Sequence, residues 1–190
     1  MSKLSKNLKK KWLQKQEFKY IRHTEMKKRL AIYPGTFDPI TLGHLDIIER
    51  AVSIFDEVVV AVGRNIGKKP LFTVEERMEM IEKTTAHLEN VKVTYFDGLI
   101  VDYARKLNAV AMIRGLRAMS DFEFEFQMAL VNRTLYPDLV QVFLMPHEAY
   151  THLNSTIVRE VSSFGGDISS FVTPYVAETL HKKFHINNKD

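Results

Sequence analysis

The chain has 190 residues, with 27 Lys+Arg against 23 Asp+Glu, 45% hydrophobic residues and no cysteine. That is enough chain for one globular domain with a real core, and its composition excludes disordered, collagen-like and low-complexity proteins. The missing thiols exclude disulfides, thiolate zinc sites, iron–sulfur clusters and cysteine nucleophiles.

Charge is concentrated at the start. Residues 1–25 hold eight basic and two acidic groups, a net +6, while the other 165 residues carry a net −2. We therefore assign residues 1–25 to a basic extension, 26–184 to the folded domain and 185–190 to a tail, with Met26 a candidate start. A solvated arm is the favoured reading, since lysine clusters are usually just solvated; an arm touching nucleic acid or anionic lipid is the sharper one. The lysine-rich start lacks the apolar segment of a secretory signal. No apolar run approaches the roughly 20 residues of a membrane span. Without an export signal, the Asn-x-Ser/Thr triplets at Asn132 and Asn154 read as chance matches.

Residues 29–33 read as a buried strand ending at Pro34-Gly35. Residues 43–55 have Ile47, Ile48, Ala51, Val52 and Phe55 on one helical face. The run from Val58 to Val62 is β-branched and too short for a helix, so it predicts a buried strand. Thr73-x-x-Glu76 is a capping-box pattern for a helix over 74–88. Val91 to Tyr95 alternate as a third strand. Residues 99–107 form a short helix, and Val110 to Ile113 a fourth strand. Ser120-x-x-Glu123 predicts a cap for a helix over 121–135, whose Phe122-Glu123-Phe124-Glu125-Phe126 segment also has the period of a strand. Helix is preferred there, apolar around most of its girth, with one surface left for a subunit partner. Val140 to Met145 make a fifth strand, and residues 155–164 and 174–184 are helical, with Pro174 in a first turn.

Strand and helix thus alternate with short connections. The pattern predicts an α/β fold: a single doubly wound, Rossmann-like domain with a five-stranded parallel sheet, helices on both faces and C-terminal helices. Ligands of such sheets bind outside the carboxyl ends of the strands, so the loops after residues 33, 62, 96, 113 and 145 carry the question of function.

The first loop, Tyr33-Pro34-Gly35-Thr36-Phe37-Asp38-Pro39-Ile40-Thr41-Leu42-Gly43-His44, runs into a helix. The helix amino end is a seat for phosphate, Thr36 offers a hydroxyl and His44 a donor that can be charged. Alone, the histidine would be a cap. Together, Gly-Thr-Phe-Asp-Pro and Thr-x-Gly-His at a strand-to-helix switch form a specific signal. The stretch resembles the signature of the nucleotidylyltransferase superfamily, and Tyr-Pro-Gly-Thr-Phe-Asp-Pro-Ile-Thr is similar to the phosphopantetheine adenylyltransferase family.

Other loops test that resemblance. Gly63-x-x-x-Gly67-Lys68 is one residue short of a Walker A loop and lacks its Ser/Thr, so it is rejected as one. Lys68-Lys69-Pro70-Leu71-Phe72 instead matches a family segment whose first lysine contacts the acceptor phosphate, which implies that role for Lys68. Ile113-Arg114-Gly115-Leu116-Arg117 matches another. Arginine forks suit phosphate, and the resemblance implies that Arg114 binds the acceptor, that Gly115, Leu116 and Arg117 contact ATP, and that Glu125 lies near the nucleotide. It also implies Phe37 as an ATP residue and Ile100 as an acceptor residue. Residues Tyr150, Thr151, His152, Leu153, Asn154, Ser155 and Thr156 are carried over as nucleotide-binding. The family's pattern has three hydroxyl residues here, and Asn154 departs from it.

The resemblance covers about residues 27–184. It implies adenylyl transfer from ATP to 4′-phosphopantetheine, giving dephospho-coenzyme A and pyrophosphate. His44 is expected to stabilise the transition state, Thr36 to orient the attacking phosphate, Lys68 and Arg114 to hold the acceptor, and magnesium to arrive with ATP rather than in a protein cage. It further implies a cytoplasmic homohexamer, with coenzyme A able to inhibit from the same cleft. His181 and His185 are four apart but have no evident third ligand, so no metal site is expected. Two alternatives are a related transferase with another phosphate acceptor and a nucleotide- or RNA-binding module using the basic arm. Four matching loops weigh against the second, and nucleic acid and membrane are not expected partners.

Overall fold

Five β-rich runs pair into one all-parallel sheet: β1 (Leu30–Gly35), β2 (Glu57–Gly63), β3 (Val91–Phe96), β4 (Ala111–Gly115) and β5 (Val140–Leu144), in the order β3-β2-β1-β4-β5. The structure is a computed structural model describing residues 28–64 and 69–184. The extension 1–25, Lys68, His185 and the tail lie outside the described residues. The helices are α1 (Leu42–Val52), α2 (Val74–Thr84), α3 (Ile100–Lys106), α4 (Met119–Leu135), α5 (Ser155–Ser163) and α6 (Pro174–Lys183), with a 3₁₀ turn at Glu148–Tyr150.

The alternation along β2 separates two cores. Val58, Val60 and Val62 pack with Ile47, Ile81 and Leu180 on one face. Ala61 packs with Ile32, Val101, Ala104, Met112 and Leu139 on the other. Buried on both sides, the central strands need their unbroken apolar runs. The chain moves outward from β1 to β3, then returns across β1 to form β4. The crevice between the carboxyl ends of β1 and β4 is therefore the topological switch point, where such sheets bind ligands.

Three local expectations are corrected. β1 runs through Pro34-Gly35 instead of ending before them. A proline inside a central strand is tolerated because β1 and β4 pair only at Ala31–Ala111 and Ile32–Met112. Beyond that register the side chain of Arg114 takes the Pro34 carbonyl at 2.9 Å. α4 starts at Met119, with Ala118 as N-cap and no side-chain cap bond, so Ser120 is the second helical residue and no capping box. α2 ends at Thr84, where the Thr85 hydroxyl turns back onto the Ile81 carbonyl at 2.8 Å. The Thr73–Glu76 capping box is present, with both reciprocal bonds made.

Candidate active site

The crevice opens into a cleft of about 770 Å³ whose walls come from the loop after β1, Lys69-Pro70, the loop after β4, the start of α4 and the start of α5. Four of the loops singled out in the sequence meet here. Thr36, Phe37, His44, Arg114, Gly115, Arg117, Glu125, Leu153, Asn154, Ser155 and Thr156 all line it.

The β1 loop is shaped by a close approach. A Cβ on Gly35 would lie 2.8 Å from the Phe37 ring. Glycine there lets that ring fold back into the core, edge-on to Tyr33 at 5.4 Å and to His44 at 5.2 Å. Phe37 takes a left-handed φ of 47°, and only 2% of the residue is exposed. Its backbone, not its ring, is what a ligand can reach.

His44 is the third residue of α1, in a capping box with Thr41. Its Nδ1 accepts the Thr41 backbone N–H at 3.0 Å, so the neutral ring carries its proton on Nε2. Burial, then the charges of Arg117 and Arg114, push its pKa down to about 4. His44 is thus a neutral Nε2–H donor near pH 7, where the sequence alone allowed a charged one.

Three arginine–carboxylate pairs frame the cleft. Arg114 holds both oxygens of Glu125, with Nε to Oε2 at 2.8 Å. Burial opposes the charge on Arg114, but the bond and field of Glu125 outweigh it and raise its pKa. Arg117 sits 3.4 Å from Asp121 and donates to the Leu153 carbonyl at 2.8 Å, joining the β4 loop to the start of α5. Arg159 pairs with the buried Asp38. Asp38 also accepts the backbone N–H groups of Leu71 and Phe72 at 2.9 and 3.0 Å. It ties the β1 loop to the loop bearing Lys69, which lines the cleft. Asp38 and Arg159 were absent from the sequence-derived site. Asp38 stood within the recognised motif, but its partners are 33 to 121 residues away.

At α5, Asn154 is the N-cap, its Oδ1 accepting the Ile157 N–H at 2.8 Å. Its departure from a hydroxyl residue therefore leaves the cap intact. The Ser155 hydroxyl donates to the Pro39 carbonyl at 2.7 Å and so braces the first loop. Leu116, Tyr150, Thr151 and His152 do not line the cleft. The Leu116 N–H extends the sheet to the Leu144 carbonyl, and Thr151 and His152 are exposed on the turn that carries Leu153 inward. Ile100 lines a second cavity of about 490 Å³, reached past the shared walls Thr36, Arg114, Phe124 and Glu125 and floored by Phe96, Met112 and Met128. Among the described residues, no three His, Asp or Glu side chains gather at metal-ligand spacing.

A cleft edged by arginines, a helix N-terminus and a neutral histidine donor suits a polyphosphate, and the adjoining apolar cavity suits an extended arm. A family model described as cytidylyltransferase-like matches residues 32–161. The chain is 54% identical over 159 residues to a phosphopantetheine adenylyltransferase of Dictyoglomus thermophilum, covering 84% of this chain and 97% of that one. It is 55% identical over 155 residues to one of Heliobacterium modesticaldum, covering 82% and 92%. A solved structure from Vibrio parahaemolyticus, described as a nicotinate-nucleotide adenylyltransferase, superposes with a TM-score of 0.62 at 22% identity, over 81% of this chain and 99% of that one. That last likeness speaks to the fold alone.

Proposed function

The chain belongs to the phosphopantetheine adenylyltransferase family, and from that premise we propose how its residues divide the work. The enzyme is a nucleotidyltransferase that joins the adenylyl group of ATP to 4′-phosphopantetheine, a step of coenzyme A biosynthesis. An oxygen of the acceptor phosphate attacks the α-phosphorus in line. One P–O bond forms, the bond to the β-phosphate bridging oxygen breaks, and pyrophosphate leaves with the electron pair. The nucleophile is already anionic, so no protein base is needed, and catalysis rests on positioning and charge stabilisation.

The observation that carries this reading is that the two cavities adjoin, with Thr36 and Arg114 in the walls of both. A phosphate held there has the cleft on one side for ATP and the apolar cavity, with Ile100 in its wall, on the other for the pantetheine arm. Arg114 and Lys68 hold that phosphate, and Thr36 orients it. Nε2–H of His44 donates to the α- and β-phosphate oxygens as charge develops. Arg117, Gly115, the Phe37 backbone and the Asn154–Thr156 end of α5 hold the nucleotide. Glu125 acts through Arg114, because a bare carboxylate beside a triphosphate would repel it. Magnesium comes as part of the ATP.

The exposed apolar side of α4 supports assembly. Phe126, Leu130, Val131 and Leu135 are each at least 45% exposed, next to an exposed Val140 on the sheet-edge strand β5. Such a face on a nucleotide enzyme fits contact with further copies of the chain. We take the assembly to be the homohexamer implied by the resemblance, and the compartment to be the cytoplasm. Among the described residues no helix is long and apolar enough to cross a membrane.

The test is pyrophosphate release from ATP and magnesium, with and without 4′-phosphopantetheine. Release that requires the acceptor is expected. Release without it, or none with it from protein that binds ATP, overturns the reading.

A further inference from the structure

Arg77 of α2 is a buried guanidinium, 2% exposed, that lines neither cavity. Among the described residues it contacts no carboxylate. Its partners are three backbone carbonyls. Nε donates to Thr73 at 3.2 Å, while Nη1 donates to Thr36 at 2.7 Å and to Gly63 at 3.3 Å. The Thr73 bond anchors the side chain to the start of its own helix. The other two reach the carboxyl ends of the adjacent strands β1 and β2, the edge at which the cleft begins.

Burial disfavours this cation, and Asp38 and Glu75 offset that only through space, without touching it; an apolar side chain would fill the same space more cheaply. What a long side chain with several N–H donors can do here, and an apolar one cannot, is fix the orientation of the Thr36 carbonyl while anchored to Thr73 and Gly63. The Thr36–Phe37 peptide is trans, since Asp38–Pro39 is the cis bond among the described residues. In a trans peptide the C=O and the following N–H point in opposite directions. Drawing the Thr36 carbonyl back toward Arg77, behind the loop, therefore turns the Phe37 N–H forward to the cleft. Among the described residues that N–H has no acceptor. The left-handed φ of Phe37 completes the turn, and its ring is locked in the core.

We infer that Arg77 is a positioning residue, which holds the Thr36–Phe37 peptide so that the Phe37 N–H stands ready as a phosphate donor in the cleft. This rests on the adenylyl-transfer reading for the identity of the phosphate, though not for the orientation of the peptide. The donor is set before substrate arrives, as electrostatic stabilisation of a transition state requires.

The test uses the full chain as wild type, Arg77→Met and Arg77→Lys. In wild type the ¹H–¹⁵N resonance of Phe37 is expected to move downfield when ATP is added. In Arg77→Met that movement is lost and kcat falls about 10²-fold, while KM for both substrates changes less than about threefold. Arg77→Lys restores part of both. If Arg77→Met does not fold, Arg77→Lys is read alone, with intermediate kcat and a reduced Phe37 shift expected. A variant that only melts earlier, with wild-type kcat per folded chain and an unchanged Phe37 shift, makes Arg77 a fold anchor and overturns the inference. If wild type shows no acceptor-dependent release, the functional reading fails, and the Phe37 shift still decides the role of Arg77.

Discussion

The backbone N–H of Thr41 donates to Nδ1 of His44 at 3.0 Å, and this bond decides which nitrogen of the ring can serve a ligand. The same atom caps α1 and fixes the tautomer, so stability and chemistry are coupled in one side chain. They can be separated. His44→Ala removes both the side-chain half of the capping box, costing at most about 1 kcal/mol because the Thr41 hydroxyl still accepts the residue 44 N–H, and the Nε2 donor, lowering kcat by 10²- to 10³-fold on the order of a lost oxyanion donor. His44→Asn can offer Oδ1 to the Thr41 N–H, while its shorter side chain leaves the Nδ2–H2 donors short of the place that Nε2–H reaches. It is expected to unfold in urea within about 0.5 kcal/mol of wild type and to stay as inactive as the alanine variant. An active asparagine variant would remove His44 from the chemistry.

The lowered pKa of His44 makes a second prediction. The unfolded histidine titrates near 6.5 and the folded one near 4. Between those values the unfolded chain binds the extra proton, so stability falls as pH drops from about 6.5 toward 4. A shift of this size corresponds to at most about 3 kcal/mol, reduced by solvent screening because the ring is only half-buried in an open cleft. Urea midpoints at pH 7, 5.5 and 4.5 should fall more steeply for wild type than for His44→Asn. Parallel slopes would mean that the ring titrates as it does in water.

Glu125 and Arg114 form a two-pronged pair in the wall shared by the two cavities. Glu125→Gln keeps the shape and loses the charge that holds the fork in place. KM for 4′-phosphopantetheine is expected to rise about tenfold, about 1.4 kcal/mol, with KM for ATP moving far less. Arg114→Ala should do at least as much, and the double variant no more than Arg114→Ala alone, because the carboxylate acts through the arginine. Equal losses for ATP and acceptor would return Glu125 to the nucleotide.

The strands were legible because buried parallel strands demand continuous apolar runs, which Val58 to Val62 supplied. The site's loops were legible because their motifs are contiguous: Thr36 to His44, Ile113 to Arg117 and Asn154 to Thr156 are each a single short stretch of chain. What stayed hidden depends on distance in sequence. Nothing local says that Asp38 will accept from Leu71 and Phe72, or that Arg77 will reach back 41 residues to Thr36. The start of α4 was misplaced for a different reason. Ser120-x-x-Glu123 has the pattern of a capping box, yet the chain enters the helix at Met119, where the pairs Arg117–Asp121 and Arg114–Glu125 reach the cleft. Tertiary contact outweighed the local cap.

Asn154 offers a test of substitution within the motif. Its Oδ1 caps α5, a task serine performs equally well. Asn154→Ser is expected to stay within about 0.5 kcal/mol of wild type in urea unfolding and to keep its KM for ATP. Asn154→Ala should lose about 1 kcal/mol and raise KM for ATP, since the N–H groups at the start of α5 would no longer be held. An alanine variant with unchanged KM would show that the cap contributes to folding alone.

The final prediction concerns α4, which serves two masters. Glu125 and Asp121 on its inner side hold Arg114 and Arg117, while Phe126 and Val131 stand 48% and 52% exposed on its outer side. If copies of the chain pack on that outer side, assembly also steadies the two cleft arginines. Sedimentation equilibrium should give wild type a mass six times the 22.0 kDa protomer. Phe126→Asp combined with Val131→Asp places charges in the contact without touching a cavity wall, and should yield smaller species. The dissociated protein is expected to keep its helix content but to show a raised KM for 4′-phosphopantetheine, because α4 then holds Glu125 less firmly. Wild type that sediments as a single chain would refute the assembly. A dissociated variant with unchanged KM would show that the two sides of α4 act independently.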